Sequence, residues 1–185
     1  MKVCVYGAGA IGGLLAARLA RTEVEVGLIA RGPHLAAIQA NGLRLRGPGE
    51  DFTVHPRATQ DPAELGPQDY VIVTLKAHQV PGAVPAMQSL LGPETVVVMA
   101  VNGVPWWYFH GLGGPHEGHR LGSVDPDGAQ WDGIGPERVL GCVVYPAAEV
   151  AEPGVIELIE GDRFTLGEPA GERSARAERL AAARL

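Results

Sequence analysis

The sequence predicts an α/β fold in which helices flank a doubly wound, mostly parallel sheet. Two observations predict it: apolar runs alternate with helical patterns along the 185 residues, and the first run leads directly into a glycine-rich turn. That run, Val3–Tyr6, is followed by Gly7, Gly9 and Gly12 and by an Ala/Leu-rich helical pattern from about residue 11 to residue 21. Strand, tight turn and helix in this order are typical of a Rossmann-type fold.

The glycine spacing in this turn indicates a loop that binds the pyrophosphate of a dinucleotide. Gly7 permits a sharp turn, Gly9 leaves room for the phosphates, and Gly12 lets the helix pack closely. The free amides and the dipole of the first helical turn attract negative charge. A glycine-rich turn can also be only a turn, but the flanking strand and helix favour a cofactor site. The candidate cofactor-binding residues are Gly7, Ala8, Gly9, Ala10, Ile11 and Gly12.

The end of the second predicted strand, residues 24–29, indicates which dinucleotide is bound. A site for NAD usually places Asp or Glu roughly 20 residues after the glycines, where it binds the ribose 2′-hydroxyl. This chain has Ala30, Arg31 and Gly32 there instead. The planar guanidinium of Arg31 suits a 2′-phosphate, although a solvated arginine is the alternative. We therefore expect NADP(H) rather than NAD(H).

The remaining elements continue the alternation. A short helix is predicted at 33–40, an antiparallel strand pair at 43–46 and 52–55 around a turn at 47–49, and buried strands at 69–75 and 95–99. A helix is expected at about 80–91, with Pro85 disturbing its first turns. A Gly- and Pro-rich loop from 111 to 137 precedes strands at 139–145, 154–159 and 163–167 and a final helix from about Glu172.

Composition limits the function classes. The net charge of −6 and the lack of a basic cluster argue against nucleic acid, and no apolar run is long enough to span a membrane. The N-terminus has no signal-peptide pattern, so a cytoplasmic enzyme is expected. Cys4 and Cys142 fall in predicted buried strands, where we interpret them as small core residues, with no disulfide and no metal site.

Two strand ends carry the candidate chemistry, because ligands of such sheets bind outside the carboxyl ends of the strands. Lys76 follows the strand 69–75 and is one of only two lysines, so its ammonium is a candidate ligand for a ribose, a phosphate or a substrate oxyanion. The alternative is an ordinary charged residue at a strand end. His78 is a weaker candidate proton carrier.

Asn102 follows the strand 95–99 and offers both a hydrogen-bond donor and an acceptor to a nicotinamide, a ribose or a substrate hydroxyl. Asn102-Gly103 is also a common turn pair. The aromatic cluster Trp106–Phe109 that follows is more typical of a core or an interface than of a cofactor platform.

Together these motifs resemble the ketopantoate reductase family over nearly the whole chain. The resemblance lies in the order of GAGAIGG, Ala30-Arg31-Gly32, VIVTLKAHQ, Asn102-Gly-Val-Pro, Gly141-Cys-Val-Val-Tyr, Pro153-Gly-Val-Ile and Phe164-Thr-Leu-Gly-Glu-Pro. It implies reduction of ketopantoate with NADPH on the route to pantothenate and coenzyme A. It also implies that residues 7–12 bind the pyrophosphate, Arg31 the 2′-phosphate, and Lys76 and Asn102 the cofactor and substrate. Pro146 would lie near the nicotinamide.

The resemblance also implies a missing part. Family members continue into a C-terminal helical domain that supplies the principal catalytic lysine and most substrate ligands. This chain stops at Leu185, inside the helix that should lead there, and we expect that the apolar face of this helix has nothing downstream to pack against. We therefore expect a cofactor-binding domain over residues 1–171 and the start of a connecting helix over 172–185.

The sequence thus predicts an NADPH-dependent oxidoreductase that reduces a 2-keto acid, with this chain supplying the cofactor-binding half. Two alternatives remain open at this stage. One is a related NADP-dependent 2-hydroxyacid or imine reductase, and the other is a non-catalytic NADP-binding module. A small-molecule keto acid is the expected partner, and a homodimer is left open.

Overall fold

The computed structural model describes residues 1–183, which form two β-sheets and five α-helices. The helices are α1 (Ala10–Leu19), α2 (Gly32–Asn41), α3 (Val80–Met87), α4 (Ala129–Gly133) and α5 (Ala175–Ala181). The strands are β1 (Lys2–Tyr6), β2 (Glu25–Ile29), β3 (Leu43–Gly47), β4 (Glu50–Val54), β5 (Arg57–Thr59), β6 (Gln68–Val73), β7 (Leu91–Met99), β8 (Val139–Val144), β9 (Ala147–Glu152), β10 (Val155–Glu160) and β11 (Phe164–Gly167).

The larger sheet has seven strands in the order β11-β8-β7-β6-β1-β2-β5. Every neighbouring pair is parallel except β8 and β11. The chain starts at β1, runs outwards through β2 to β5, and returns to β6 on the other side of β1. The predicted doubly wound, mostly parallel sheet is therefore confirmed, and its switch point lies between β1 and β6.

The central strands are apolar because both of their faces are covered by other elements. Residues Val71 to Val73 of β6 and Val97 and Val98 of β7 are almost completely buried. Cys4 in β1 and Cys142 in β8 are free and buried, as predicted for core residues. Burial raises the pKa of each thiol to about 12, so both remain protonated at neutral pH.

A second, four-stranded sheet packs on the opposite side of α1. Its order is β4-β3-β10-β9, and α1 contacts β3, β9 and β10. A Cβ atom on Gly13 would lie 2.5 Å from the Ile156 side chain of β10, so this close approach requires glycine. The antiparallel β3–β4 pair and a strand near β10 were predicted from the sequence. The parallel pairing of β3 with β10, in which Leu45 lies opposite Ile156, was not predicted.

Several boundaries differ from the sequence predictions. The short strands β5 and β9 were not predicted, and β5 has only three residues. The helix α3 ends at Met87 and is followed by a 3-10 turn, because Pro85 lies inside it and weakens its hydrogen bonding. The predicted loop 111–137 is largely irregular but contains the five-residue helix α4.

The last helix packs on the domain that precedes it. Ser174 caps α5 by accepting a hydrogen bond from the Ala177 amide, and Leu180 is fully buried in the main core. The sequence analysis expected nothing downstream for the apolar face of this helix, and the structure shows that the upstream core covers Leu180 instead. Arg184 and Leu185, at the end of the predicted helix, lie outside the described residues.

An ion pair anchors this C-terminal segment. Arg176 donates to both carboxylate oxygens of Glu168, at 2.7 and 2.5 Å, and to the carbonyl oxygens of Glu137 and Val139. The Glu168 side chain is only 3% exposed. Hydrogen bonds from Arg176 hold the pKa of the Glu168 carboxyl below its ordinary value, so the pair is charged at neutral pH. Tyr70 of β6 also donates to the Arg176 carbonyl.

We expect Glu168→Gln to lower the free energy of unfolding by about 3 kcal/mol at pH 7, because it leaves the Arg176 guanidinium without its charged partner. The folded-state pKa of Glu168 is lowered, so its contribution is present above the unfolded-state pKa of about 4.3 and is lost as pH falls through the folded-state value. Urea unfolding of wild type and variant at several pH values should show the difference shrinking in acid.

The matched control is Asp51→Asn, which breaks the exposed bidentate pair with Arg44. An exposed pair of this kind contributes about 0–1 kcal/mol, so this variant should be nearly as stable as wild type. Equal losses in the two variants would contradict the anchoring role of Glu168.

Candidate functional site

The turn after β1 is held against the neighbouring strand β2. Gly7 has a φ of +114°, a conformation that favours glycine, and a Cβ atom there would lie 2.8 Å from Leu75. The amides of Gly7 and Ala8 both donate to the carbonyl oxygen of Ile29, at 3.2 and 3.0 Å. These two residues therefore shape the turn, and their amides are already hydrogen-bonded within the protein.

The N-terminus of α1 follows directly. Gly9 is its N-cap residue, so no side chain caps this end, and its first turn contains no acidic residue. The first amide of the helix with a backbone acceptor is that of Gly13, which donates to Gly9 at 2.7 Å. The amides of residues 9–12 are thus the available donors at the positive end of the helix.

Gly9 and Gly12 have different roles at this end of α1. A Cβ atom on Gly9 would meet nothing within 4 Å, so a side chain there would project into open space. A Cβ atom on Gly12 would overlap the Gly7 carbonyl oxygen and the Thr74 hydroxyl. The close packing predicted for Gly12 is confirmed, and the surface it approaches is the turn itself.

One cleft of about 840 Å³ lies outside the carboxyl ends of β1, β2 and β6. It brings together the glycine turn, Arg31 at the end of β2 and Lys76 beyond β6. Its lining residues, as far as the structure describes them, include no Asp or Glu. In a chain of net charge −6, this cleft has two basic side chains and no acidic one. Such a surface attracts anionic ligands.

Arg31 and Lys76 have exposed side chains at opposite walls of this cleft. Arg31 is the N-cap residue of α2 in extended conformation. The backbone of Lys76 is fixed by Gln79: the Lys76 amide donates to the Gln79 side chain, and the Gln79 amide donates to the Lys76 carbonyl. His78 is exposed and does not line the cleft.

Sequence reasoning missed several polar residues that line this cleft, among them His34, Gln60, Thr74 and Gln79. The His34 Nδ1 accepts a hydrogen bond from the Gly154 amide at 3.0 Å, which links α2 to the second sheet. Burial lowers the pKa of His34, so its ring is neutral at pH 7. No sequence pattern marks a histidine in the first turn of a helix as a contact to a distant strand.

Asn102 lies outside this cleft. Its side chain donates to the Val144 carbonyl at 2.9 Å and accepts from the Val144 amide at 3.1 Å, so it joins the ends of β7 and β8. It lines a separate groove of about 610 Å³. One amide hydrogen and one lone pair of Asn102 remain for a ligand. Pro146 is buried just past β8 and lines neither space.

The aromatic cluster is mainly part of the core. Trp106 and Trp107 are buried and stack edge to face with ring centroids 5.4 Å apart. Tyr108 is exposed and lines the groove beside Asn102. Residues 1–183 contain no group of three His, Cys, Asp or Glu side chains that could hold a metal ion. None of their helices is long and apolar enough to cross a bilayer.

A tight glycine turn, an uncapped helix N-terminus and a cationic cleft meet at the switch point of a doubly wound sheet. This arrangement defines the class of Rossmann-type α/β domains with a dinucleotide-type crevice. Comparison with known proteins gives the family. The family model "Ketopantoate reductase PanE/ApbA" matches residues 3–171, and the chain therefore belongs to that family.

Individual relatives agree with this assignment. A 2-dehydropantoate 2-reductase of Mesorhizobium japonicum is 58% identical over 184 residues, which cover 98% of this chain and 56% of that protein. A solved structure from Ralstonia solanacearum MolK2 has a TM-score of 0.91 and 46% identity, covering 98% of this chain and 56% of the other. The 2-dehydropantoate 2-reductase of Porphyromonas gingivalis W83 has a TM-score of 0.76 and 30% identity, covering 99% and 60%. The chain thus spans little more than half the length of these relatives.

Proposed function

We propose that this chain is the NADP(H)-binding part of a reductase that converts ketopantoate, a 2-keto acid, to pantoate. The observation that carries the proposal is the cleft in which the glycine turn leading into α1, Arg31 and Lys76 converge with no acidic residue in the lining. The family and the names of its relatives support the choice of substrate. On this proposal residues 1–171 are the cofactor-binding domain and 172–185 begin the connection to a further domain.

The residues of the cleft fit the parts of the cofactor. The amides of Gly9, Ala10, Ile11 and Gly12 would hold the pyrophosphate, and Gly7 and Ala8 shape the turn that leads to them. Arg31 would pair with the 2′-phosphate, because a guanidinium matches phosphate geometry. When bound, NADPH supplies the hydride that reduces the keto carbon, and the protein supplies position and electrostatics.

The substrate end lies where β6, β7 and β8 end. Lys76 would bind a phosphate or the ribose of the cofactor, or stabilise the negative charge that develops on the substrate oxygen. Asn102, oriented by its two hydrogen bonds to Val144, would present its remaining donor and acceptor to the nicotinamide or the substrate. The family resemblance would also place Pro146 near the nicotinamide, but Pro146 is buried and lines neither the cleft nor the groove, so we assign it no contact. We place the reaction in the cytoplasm.

The first prediction concerns cofactor choice. Arg31→Ala should weaken NADPH binding about 10- to 150-fold and leave NADH binding nearly unchanged, because a charge-assisted hydrogen bond contributes about 1.5–3 kcal/mol. Fluorescence titration of both cofactors gives the two Kd values. The control is Arg57→Ala, which removes the same charge from the neighbouring strand β5 at a residue that does not line the cleft. Equal losses for NADPH and NADH would show that Arg31 does not bind the 2′-phosphate.

The second prediction concerns Lys76. Lys76→Ala should raise the Kd for NADPH roughly fivefold, the effect of losing about 1 kcal/mol from an exposed ion pair. Lys2→Ala is a matched control, because Lys2 is exposed at the opposite end of β1. The same shift in both variants would indicate only a loss of bulk charge, and no shift in either would make Lys76 an ordinary solvated residue.

The third prediction separates an enzyme from a binding module. Lys2 and Lys76 are the only lysines in the sequence, and the resemblance implies a catalytic lysine in a further domain. We therefore expect the 185-residue chain to bind NADPH but to reduce ketopantoate at a rate close to background. Absorbance at the nicotinamide band measures turnover directly. Robust turnover would mean that the cofactor-binding half carries its own proton donor.

A further inference from the structure

Thr74 connects β6 to the glycine turn across the switch point of the sheet. It is the first residue after β6, and its backbone amide donates to the Tyr6 carbonyl at 3.1 Å. Its hydroxyl donates to the Gly7 carbonyl at 2.6 Å, with the Tyr6 carbonyl farther away at 3.3 Å. The turn after β1 is thus bound by a side chain from the neighbouring strand.

The peptide group between Gly7 and Ala8 is fixed at both ends. Its carbonyl accepts from the Thr74 hydroxyl at 2.6 Å, and its N–H donates to the Ile29 carbonyl at 3.0 Å. Ile29 ends β2 and Thr74 follows β6, so the two strands that flank β1 hold opposite ends of one peptide plane. A peptide held in this way cannot rotate, and its orientation sets the direction of the residues that follow.

The hydrogen bond from Thr74 is partly buried, and protein atoms pack against it on two sides. A Cβ atom on Gly12 would overlap both the Gly7 oxygen and the Thr74 oxygen, so α1 packs directly against this contact. The Leu75 side chain covers the other side of Gly7. Without the hydroxyl, the partly buried Gly7 carbonyl would lose this donor, and rotation of the peptide would be a route to a new partner.

We propose that Thr74 is a positioning residue of the dinucleotide site, which holds the Gly7 carbonyl so that the amides of residues 9–12 face the pyrophosphate. This inference rests on the proposed cofactor binding. It assigns Thr74 no contact with the cofactor. The effects expected of Thr74 and Arg31 therefore differ. Both NADPH and NADH contain the pyrophosphate, so Thr74 should affect both, whereas only NADPH carries the 2′-phosphate that Arg31 would bind.

The test compares Thr74→Val, which keeps the shape but loses the donor, with Thr74→Ser, which keeps the hydroxyl. We expect Thr74→Val to raise the Kd values for NADPH and NADH by a similar factor of about ten, equivalent to about 1.4 kcal/mol. Thr74→Ser should stay within about twofold of wild type. Adenosine 2′-monophosphate, which lacks a pyrophosphate, should bind both variants as it binds wild type.

Thr95→Val is the matched control for a purely structural effect. Thr95 is buried in the interior strand β7, far from the glycine turn in sequence, where its hydroxyl donates to the Gln68 carbonyl at 2.6 Å and accepts from the Gly92 amide. Its loss should lower the thermal midpoint while leaving the Kd for NADPH unchanged. If Thr74→Val does not fold, Thr74→Ala removes the same hydroxyl without adding a methyl group.

Each outcome decides the inference. Tenfold weaker binding of both dinucleotides by Thr74→Val, with rescue by serine, supports it. Unchanged binding by a folded Thr74→Val or Thr74→Ala overturns it, as does an equal loss in Thr74→Ser or in Thr95→Val. Wild-type chain that binds neither NADPH nor NADH would instead refute the proposed cofactor binding, and the two failures are therefore distinguishable.

Discussion

The close contact between the first turn of α1 and the glycine turn determines where the helix N-terminus lies relative to the large sheet. Gly12 approaches the Gly7 carbonyl so closely that a single Cβ atom would not fit. This approach brings the helix N-terminus to the switch point between β1 and β6. The positive end of the helix and the switch point therefore coincide, which is the condition for an anion site there.

The same helix also determines how the two sheets are joined. Seven of the ten residues of α1 are buried, because one side packs on the large sheet and the other on the small one. On the side of the small sheet, Gly13 allows the close approach of Ile156. On the side of the large sheet, Gly12 allows the close approach of the glycine turn. A helix covered on two faces cannot shift without repacking both sheets, and close packing of this kind makes its N-terminus rigid.

The sequence allowed prediction of those parts of the site that depend on local order. The glycine spacing, the strand ends at Arg31 and Lys76 and the missing acid near Arg31 are properties of adjacent residues, and the cleft brings them together. The second sheet could not be predicted in full, since Leu45 and Ile156 pair across more than half of the chain. The hydrogen bonds of Thr74, His34 and Asn102 depend on register between distant strands, for which a single sequence carries no signal.

The distribution of charge explains why an acidic chain can present a cationic cleft. Several of its carboxylates form ion pairs away from the cleft: Glu50 with Arg18, Glu157 with Arg46 and Glu168 with Arg176. Those pairs use arginines to join segments of the fold, whereas Arg31 and Lys76 extend from strand ends without a carboxylate beside them in the cleft. Their charge is therefore not cancelled locally and is available to an anionic ligand. The arginines that hold the fold and the basic side chains that face the cleft thus belong to separate sets, so the cleft can be altered without loosening the scaffold that positions it.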